Sequence, residues 1–383
     1  MRDLLRGAAP HDKDYVITGV TEGFFVSAFP RAFKSGVKFP VYRMNIGGET
    51  REIAFARGET KSGVGYRGFD VSLSPDTTIE DDLYRRDTTM NAIALNLRGG
   101  EIIDPYNGKS DISAGIIRAV SPHFSDDPIR ALRAARQAAQ FGYAIAPDTI
   151  GLMTSCRGEL PAEPGERFVK ELTLALMCGK PSMFFVNLSR AGILDVSFPR
   201  VHALVGRPQP PEHHPEGDAF IHTMEAADRA ARRTDRIEIR FAALAHDLGK
   251  ALTPDEFLPR HPDHDARGLD ALREWNREMT LPRLWRACAS FAISEHMRAK
   301  KMTDPAKIAA LVERLRTHPI GADGFETIMF ADRGVMPAIA ENLRGYIRAA
   351  NSVKASDAPP ELSGKALGDW LKNARAKAVG EII

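Results

Sequence analysis

One change of texture constrains the fold of this 383-residue chain more than any other feature. Up to Ser125 short apolar runs alternate with turns, and beyond it the apolar residues recur with helical period. The runs "DYVITG", "FPVYRMNI", "REIAFAR", "NAIALNL" and "EIIDPY", separated by "GGE", "RGG" and "NGK", predict a mixed α/β domain over residues 1–120, and "RDLLRG" before them reads as a piece of helix. The segment "DDPIRALRAARQAAQFGYAI" then opens a helical region, 121–200, with Pro128 in the first turn, where proline is tolerated. Helical patterns continue in "GERFVKELTLALMC", "MFFVNLSRAGIL", "IEIRFAALAHDLG", "LWRACASFAISEHM" and "KIAALVERLRTH". The proline- and histidine-rich "VGRPQPPEHHPEGDA" leads into an all-helical domain, 201–350, and "SVKASDAPPELSG" precedes a tail helix in 351–383.

Composition narrows the class. With 43% hydrophobic and 27% charged residues the chain is an ordinary globular one. No run of about 18 apolar residues occurs, so no membrane helix is expected. The start lacks a signal-peptide pattern. Three cysteines, Cys156, Cys178 and Cys288, lack metal-like spacing and read as reduced thiols of a cytoplasmic protein. A net charge of +2 says little about partners, but seven of the eleven histidines fall between His202 and His264.

Two constellations carry chemistry. Asp12 and Asp14 stand two apart on a strand, so both carboxylates share a face and suit a divalent cation, although solvated acids at a turn would look the same. Glu52 on a neighbouring strand offers a third carboxylate. The second constellation lies in "HPEGDAFIHTM", "AHDLGK", "RHPDHD", "SEHMR" and "FADRG". It places His222, His246 with Asp247, His264, His296 and Asp332 on separate elements that a helical bundle can point inward. Imidazole with carboxylate suits Ni²⁺, Mn²⁺ or Zn²⁺ better than an all-oxygen cage would.

The order "EDDLYRRDTTMNAIAL", "GEIIDPYNGKSDI", "DDPIR" resembles the class II tRNA nucleotidyltransferases, the CCA-adding enzymes and their bacterial poly(A) polymerase relatives, over roughly residues 1–200. The resemblance implies an α+β chain. Its polymerase-β-like nucleotidyltransferase head would hold Mg²⁺ on Asp12 and Asp14, with Glu52 as third catalytic carboxylate, followed by an all-α neck and body. By the same resemblance Arg2, Arg86, Asp87 and Asn91 would position the nucleotide, and Lys61 to Phe69 would form a flexible loop. Asp127 and Arg130, one helical turn apart, would face the incoming base. A carboxylate only accepts and a guanidinium only donates, so the pair suits cytosine and adenine and leaves guanine and uracil with clashing groups. Asp126 stands where the family has glutamate. Arg133 and Arg136 continue a basic ridge from Arg130, and Glu166, Arg167 and Glu171 match a helix-stabilising element.

"AHDLGK" resembles the signature of the HD phosphohydrolases. That likeness implies His222, His246, Asp247, His264 and Asp332 as ligands of a divalent transition ion, Ni²⁺ or Mn²⁺, with His296 near the phosphate or on a second metal. His213, His214 and His261 read as groups behind the ligands or as exposed loop histidines. Together the motifs imply a CCA-adding enzyme with phosphatase, 2′-nucleotidase and 2′,3′-cyclic phosphodiesterase activity. Its partners would be the tRNA 3′ end, CTP and ATP, with no membrane, in a monomer or homodimer. Alternatives are a poly(A) polymerase, an HD phosphohydrolase with an inactive RNA-gripping head, or a non-enzymatic RNA-binding protein. Met1 stands where the family's Gly-Gly-Ala-Val segment ends, so either the start is placed too late, at a GTG valine codon read as methionine, or a true truncation leaves this chain poor at adding nucleotides with the histidine centre unaffected.

Overall fold

The computed structural model describes every residue except 11–12, 36–39 and 64–67, and, for its side chain, Phe69. Asp12 and the tip of the expected flexible loop therefore lie outside the described residues. The chain divides into two compact units, Met1–Arg167 with Val186–Ser197, and Phe168–Phe185 with Phe198–Ile383.

In the first unit, strands β1 (Asp14–Ile17), β2 (Phe33–Ser35), β3 (Val41–Ile46) and β4 (Glu49–Phe55) form one sheet in the order β1-β4-β3-β2. β1 runs parallel to β4, and the other pairs are antiparallel. Alternation along the strands sends Tyr15, Ile17, Tyr42, Ile53 and Phe55 to one face, where helix Glu22–Ala28 buries Phe25. Its ring meets Tyr42 and Phe55 edge-on, with centroids 5.1 and 5.4 Å away. Thr21 caps that helix by accepting from the Phe24 N–H. The same alternation leaves Asp14, Arg43 and Glu52 on the opposite face. Next come the hairpin strands β5 (Gly58–Lys61) and β6 (Phe69–Ser72), the arms of the expected loop. "NAIALNL" and "EIIDPY" keep only the two-residue strands Ala94–Leu95 and Ile102–Ile103, and Thr89–Asn91 forms a 3-10 turn. Helix Ile129–Phe141 buries its alanine stripe, Ala131, Ala134, Ala135 and Ala138, and ends at Gly142 with φ 70°.

Helices carry the second unit, so the mixed head gives way to helical structure as expected. Among the described residues no helix is long and apolar enough to cross a membrane. Asp218 caps helix Ala219–Ala231 through the Phe220 and Ile221 N–H groups, at 2.9 and 3.0 Å. Within helix Ile237–Ala245, Phe241 packs against Trp275 and Trp285, at 5.2 and 4.9 Å. The buried Arg240 guanidinium donates to the carbonyls of Leu176, Cys178, Ala231 and Thr234. It thus serves the orphan carbonyls at two helix ends at once. After Asp247 the chain turns tightly, and Gly249 is obligatory there: a Cβ would fall 1.8 Å from the His264 carbonyl oxygen. That close approach seats the turn on helix His264–Met279.

Candidate functional site

On the polar face of the head sheet, Asp14 and Glu52 are exposed and directly opposite each other in the β1–β4 register. Glu52 also accepts from Arg43 at 2.6 Å. Two carboxylates from adjacent strands converging on one side can supply oxygen ligands to a hard cation.

Of the residues expected to position the nucleotide, Arg2, Asn91 and Asp87 form one connected network. Arg2 donates to Asn91 Oδ1 at 2.9 Å, and Asn91 Nδ2 donates to Asp87 Oδ1 at 3.0 Å. The buried Asp87 also accepts from the Thr88 N–H at 2.7 Å, from Arg133 at 3.3 Å and from Gln137 at 3.4 Å. Burial works to raise the Asp87 pKa, but Arg133 and the Asn91 and Thr88 donors outweigh it and hold it below the ordinary value. Arg86 leans the other way, onto Asp82 at 3.1 Å. Of the three ridge arginines, Arg130 is buried and donates to the His123 carbonyl at 2.7 Å, Arg133 reaches Asp87, and Arg136 donates to Gln140 at 3.0 Å.

The Arg130 N–H donates to the Asp127 carbonyl at 2.9 Å, but among the described contacts the Asp127 carboxylate does not pair with the Arg130 guanidinium. Arg167 grips its carboxylate with two parallel bonds, at 2.9 and 2.8 Å, and also reaches Glu163 at 2.5 Å. A carboxylate has about four lone-pair sites, so this fork orients Asp127 while leaving it able to accept more.

In the second unit five helices or their ends bring His222, His246, Asp247, His264, His296 and Asp332 together, all buried. The Nδ1 atoms of His246, His264 and His296 donate to backbone carbonyls, at 2.7 Å to Ala243, 2.7 Å to His261 and 3.0 Å to Ala292. Carbonyls only accept, so these three rings turn their Nε2 lone pairs inward. Asp247 stands between two imidazole pairs. Its Oδ2 lies 3.3 Å from His222 Nε2 and 3.2 Å from His246 Nε2, and its Oδ1 lies 3.4 Å from both His264 and His296 Nε2. Asp332 Oδ1 completes the first group, 3.3 Å from His222 Nε2.

These separations match atoms sharing an ion with bonds of about 2.0–2.2 Å. Asp247 Oδ1 is buried with no hydrogen-bond partner, and two ring nitrogens face it. Such a donor set fits a divalent cation on either side of Asp247. Burial works to raise Asp247 and Asp332, but the imidazoles and lysines hold both well below the carboxylate range. Burial works to lower His222, yet Asp247, Asp332 and Glu216 push it up to about 10. The field that retains this proton is the one a metal ion would meet in its place.

Comparison with known proteins follows the same division. A family model described as the poly A polymerase head domain matches residues 1–118, an HD domain model matches 219–318, and one described as the probable RNA and SrmB-binding site of polymerase A matches 142–204. The multifunctional CCA protein of Pseudomonas syringae pv. syringae (strain B728a) is 38% identical over 405 residues, covering 99% of this chain and 96% of the relative. That of Acinetobacter baumannii (strain ATCC 17978) is 37% identical over 399 residues, covering 100% and 95%. The chain belongs to the multifunctional CCA protein family. Solved structures share the fold. A CCA-adding enzyme in complex with CTP aligns over 99% of this chain and 85% of that one, with TM-score 0.64 and 22% identity. The Thermotoga maritima CCA-adding enzyme complexed with tRNA gives TM-score 0.63 and 21% identity, over 99% and 85%.

Four residues make contacts that motif reading did not assign. Arg167 holds Asp127 from a helix forty residues further on. Glu216 accepts from His222 Nδ1 at 2.6 Å and from His214 Nδ1 at 3.0 Å, which makes it the carboxylate behind one ligand. Hydrogen bonds from both imidazoles, against burial, pull Glu216 down to about 2. Lys250 pairs with Asp247 at 2.6 Å and donates to Gln209 at 2.5 Å, and Lys300 pairs with Asp332. Arg167 and Lys250 stand inside quoted motifs, and Glu216 is an acid on the proline-rich approach six residues before His222. His261 is structural, bonded to Thr253 and Pro208. His213 is exposed.

Proposed function

We propose that this chain adds C, C and A to tRNA 3′ ends from CTP and ATP, and that its histidine centre hydrolyses phosphomonoesters and 2′,3′-cyclic phosphates. In this reading residues 1–120 are the nucleotidyltransferase head and 121–200 the neck carrying the base-reading pair. Residues 201–350 are the HD domain and 351–383 a tail. Asp12, Asp14 and Glu52 would hold Mg²⁺, and His222, His246, Asp247, His264, His296 and Asp332 would hold Ni²⁺ or Mn²⁺. Bound divalent ions supply Lewis-acid activation of the attacking oxygen and neutralise charge on the reacting phosphate.

The chain's own groups do the rest. The Arg2–Asn91–Asp87–Arg133 network gives the nucleotide a rigid floor. Asp127, oriented by Arg167, accepts from the amino group of cytosine or adenine, and Arg130 donates to the adjoining ring nitrogen. Guanine and uracil leave these groups unpaired, at about 1–3 kcal/mol each. At the second centre Lys250 and Lys300 place ammonium groups beside the ligating carboxylates, where a phosphate would need them.

The single observation carrying this reading is Asp247, buried with one oxygen orphaned between ring nitrogens, in a chain alike over its full length to multifunctional CCA proteins. Incubating tRNA that lacks its 3′ end with CTP and ATP, then sequencing the ends, tests the first activity. Defined C-C-A ends are expected. Long A tails would favour a poly(A) polymerase, and no extension would favour a phosphohydrolase with an inactive head.

A further inference from the structure

The histidine centre forms the floor of a cavity of about 660 Å³. Ligand pockets run from about 300 to 1,000 Å³, so this one has room for a whole nucleotide and is far larger than a phosphate needs. Lys250 and Lys300 stand at its floor, and Arg260, Lys301 and Arg333 add positive charge to its walls. Phe257 is the only phenyl, phenol or indole ring among the described residues that line it, and it is 46% exposed.

The loop bearing this ring is held firmly. Arg207 donates to Asp255 Oδ1 at 2.7 Å and to the carbonyls of Ala251 and Thr253 at 2.9 and 2.8 Å. His261 bonds Thr253 Oγ1 at 2.8 Å and the Pro208 carbonyl at 3.0 Å. The backbone folds on itself through Phe257 N–H to Pro254 and Arg260 N–H to Phe257, at 3.1 and 2.9 Å. A fixed loop that leaves a phenyl ring partly uncovered inside this cavity forgoes part of its burial energy. An arriving flat, apolar face would recover it.

We propose that Phe257 is the base platform of a nucleoside-phosphate subsite. The phosphate lies on the floor beside Lys250 and Lys300, and the nucleobase stacks on the ring. The proposal rests on the phosphate-hydrolysing reading of the floor and adds the residue that holds the base. Every base has a π-face, so the subsite prefers nucleotides to base-free phosphates with little choice among bases.

Steady-state kinetics of wild type, Phe257→Ala and Phe257→Trp on adenosine 2′-phosphate and glycerol 2-phosphate test it. The ratio of the two kcat/KM values should fall about tenfold in Phe257→Ala, the loss of one base–aromatic stack, and persist in Phe257→Trp. The indole of Phe257→Trp should be quenched by the nucleotide and not by glycerol 2-phosphate. A ratio unchanged by Phe257→Ala, or no selective quenching, overturns the subsite. If wild type hydrolyses neither compound, the hydrolase reading fails instead, and quenching alone then judges the subsite.

Discussion

Asp87 shows how one buried charge can organise a site. Its carboxylate gathers Arg133, Asn91, Gln137 and a backbone N–H, so Asp87→Asn should cost on the order of 3 kcal/mol at neutral pH. Because its folded pKa is depressed, the charge stabilises above the unfolded value of 3.8 and the effect is lost as pH falls through the folded value. Denaturant melts stepped down through pH 4 should therefore show a shallower acid loss for Asp87→Asn than for wild type, and parallel curves would contradict the assignment. Arg167 acts through its neighbour. Arg167→Ala should erode the preference for C and A over G and U more than it slows addition, and Arg167→Lys should restore selectivity only in part, since an ammonium cannot form the fork. Incorporation assays with each nucleotide check this. Motifs singled out both residues but not the pairing of Asp87 with Arg133 or of Arg167 with Asp127, because these are contacts between side chains distant in sequence. Asp127 was legible from "DDPIR", but the partner of its carboxylate was not.

At the scale of elements, periodicity located the helices, and the six metal-ligand candidates sit on five helices or helix ends, with His246 and Asp247 sharing one. The strands "DYVITG", "FPVYRMNI" and "REIAFAR" were readable because alternation buries Tyr15, Tyr42 and Ile53 on one face. Helix Glu22–Ala28 was not singled out, since "EGFFVSA" has few positions to show a period, and its tertiary packing through Phe25 decides its fold. The glycine of "AHDLGK" has a packing reason. Gly249→Ala would push the turn off helix His264–Met279 and carry His264 away from Asp247. The expected result is weaker binding of divalent ions by calorimetry and a lower melting temperature. Arg240→Met should destabilise the second unit by about 2–4 kcal/mol, because four buried carbonyls lose their donor. Urea titration measures that loss.

For the whole molecule, two phosphate-handling sites stand in two compact units, each with its own aromatic packing. Their chemistries should separate. Asp14→Ala is expected to remove nucleotide addition and spare hydrolysis of cyclic phosphates, and His246→Ala to do the reverse. The second centre was more legible than the first, since histidines and acids in fixed order on helices leave few geometries. The head's carboxylates depend on strand register, which a sequence shows only weakly. The central claim is that Asp247 joins the imidazoles into a divalent-metal phosphohydrolase centre. The most direct measurement is metal content, paired with 2′,3′-cyclic phosphate hydrolysis, for wild type and Asp247→Asn after chelation and reloading with Mn²⁺ or Ni²⁺. Wild type should regain both bound ion and activity while Asp247→Asn regains neither, and hydrolysis by Asp247→Asn at the wild-type rate would contradict the account.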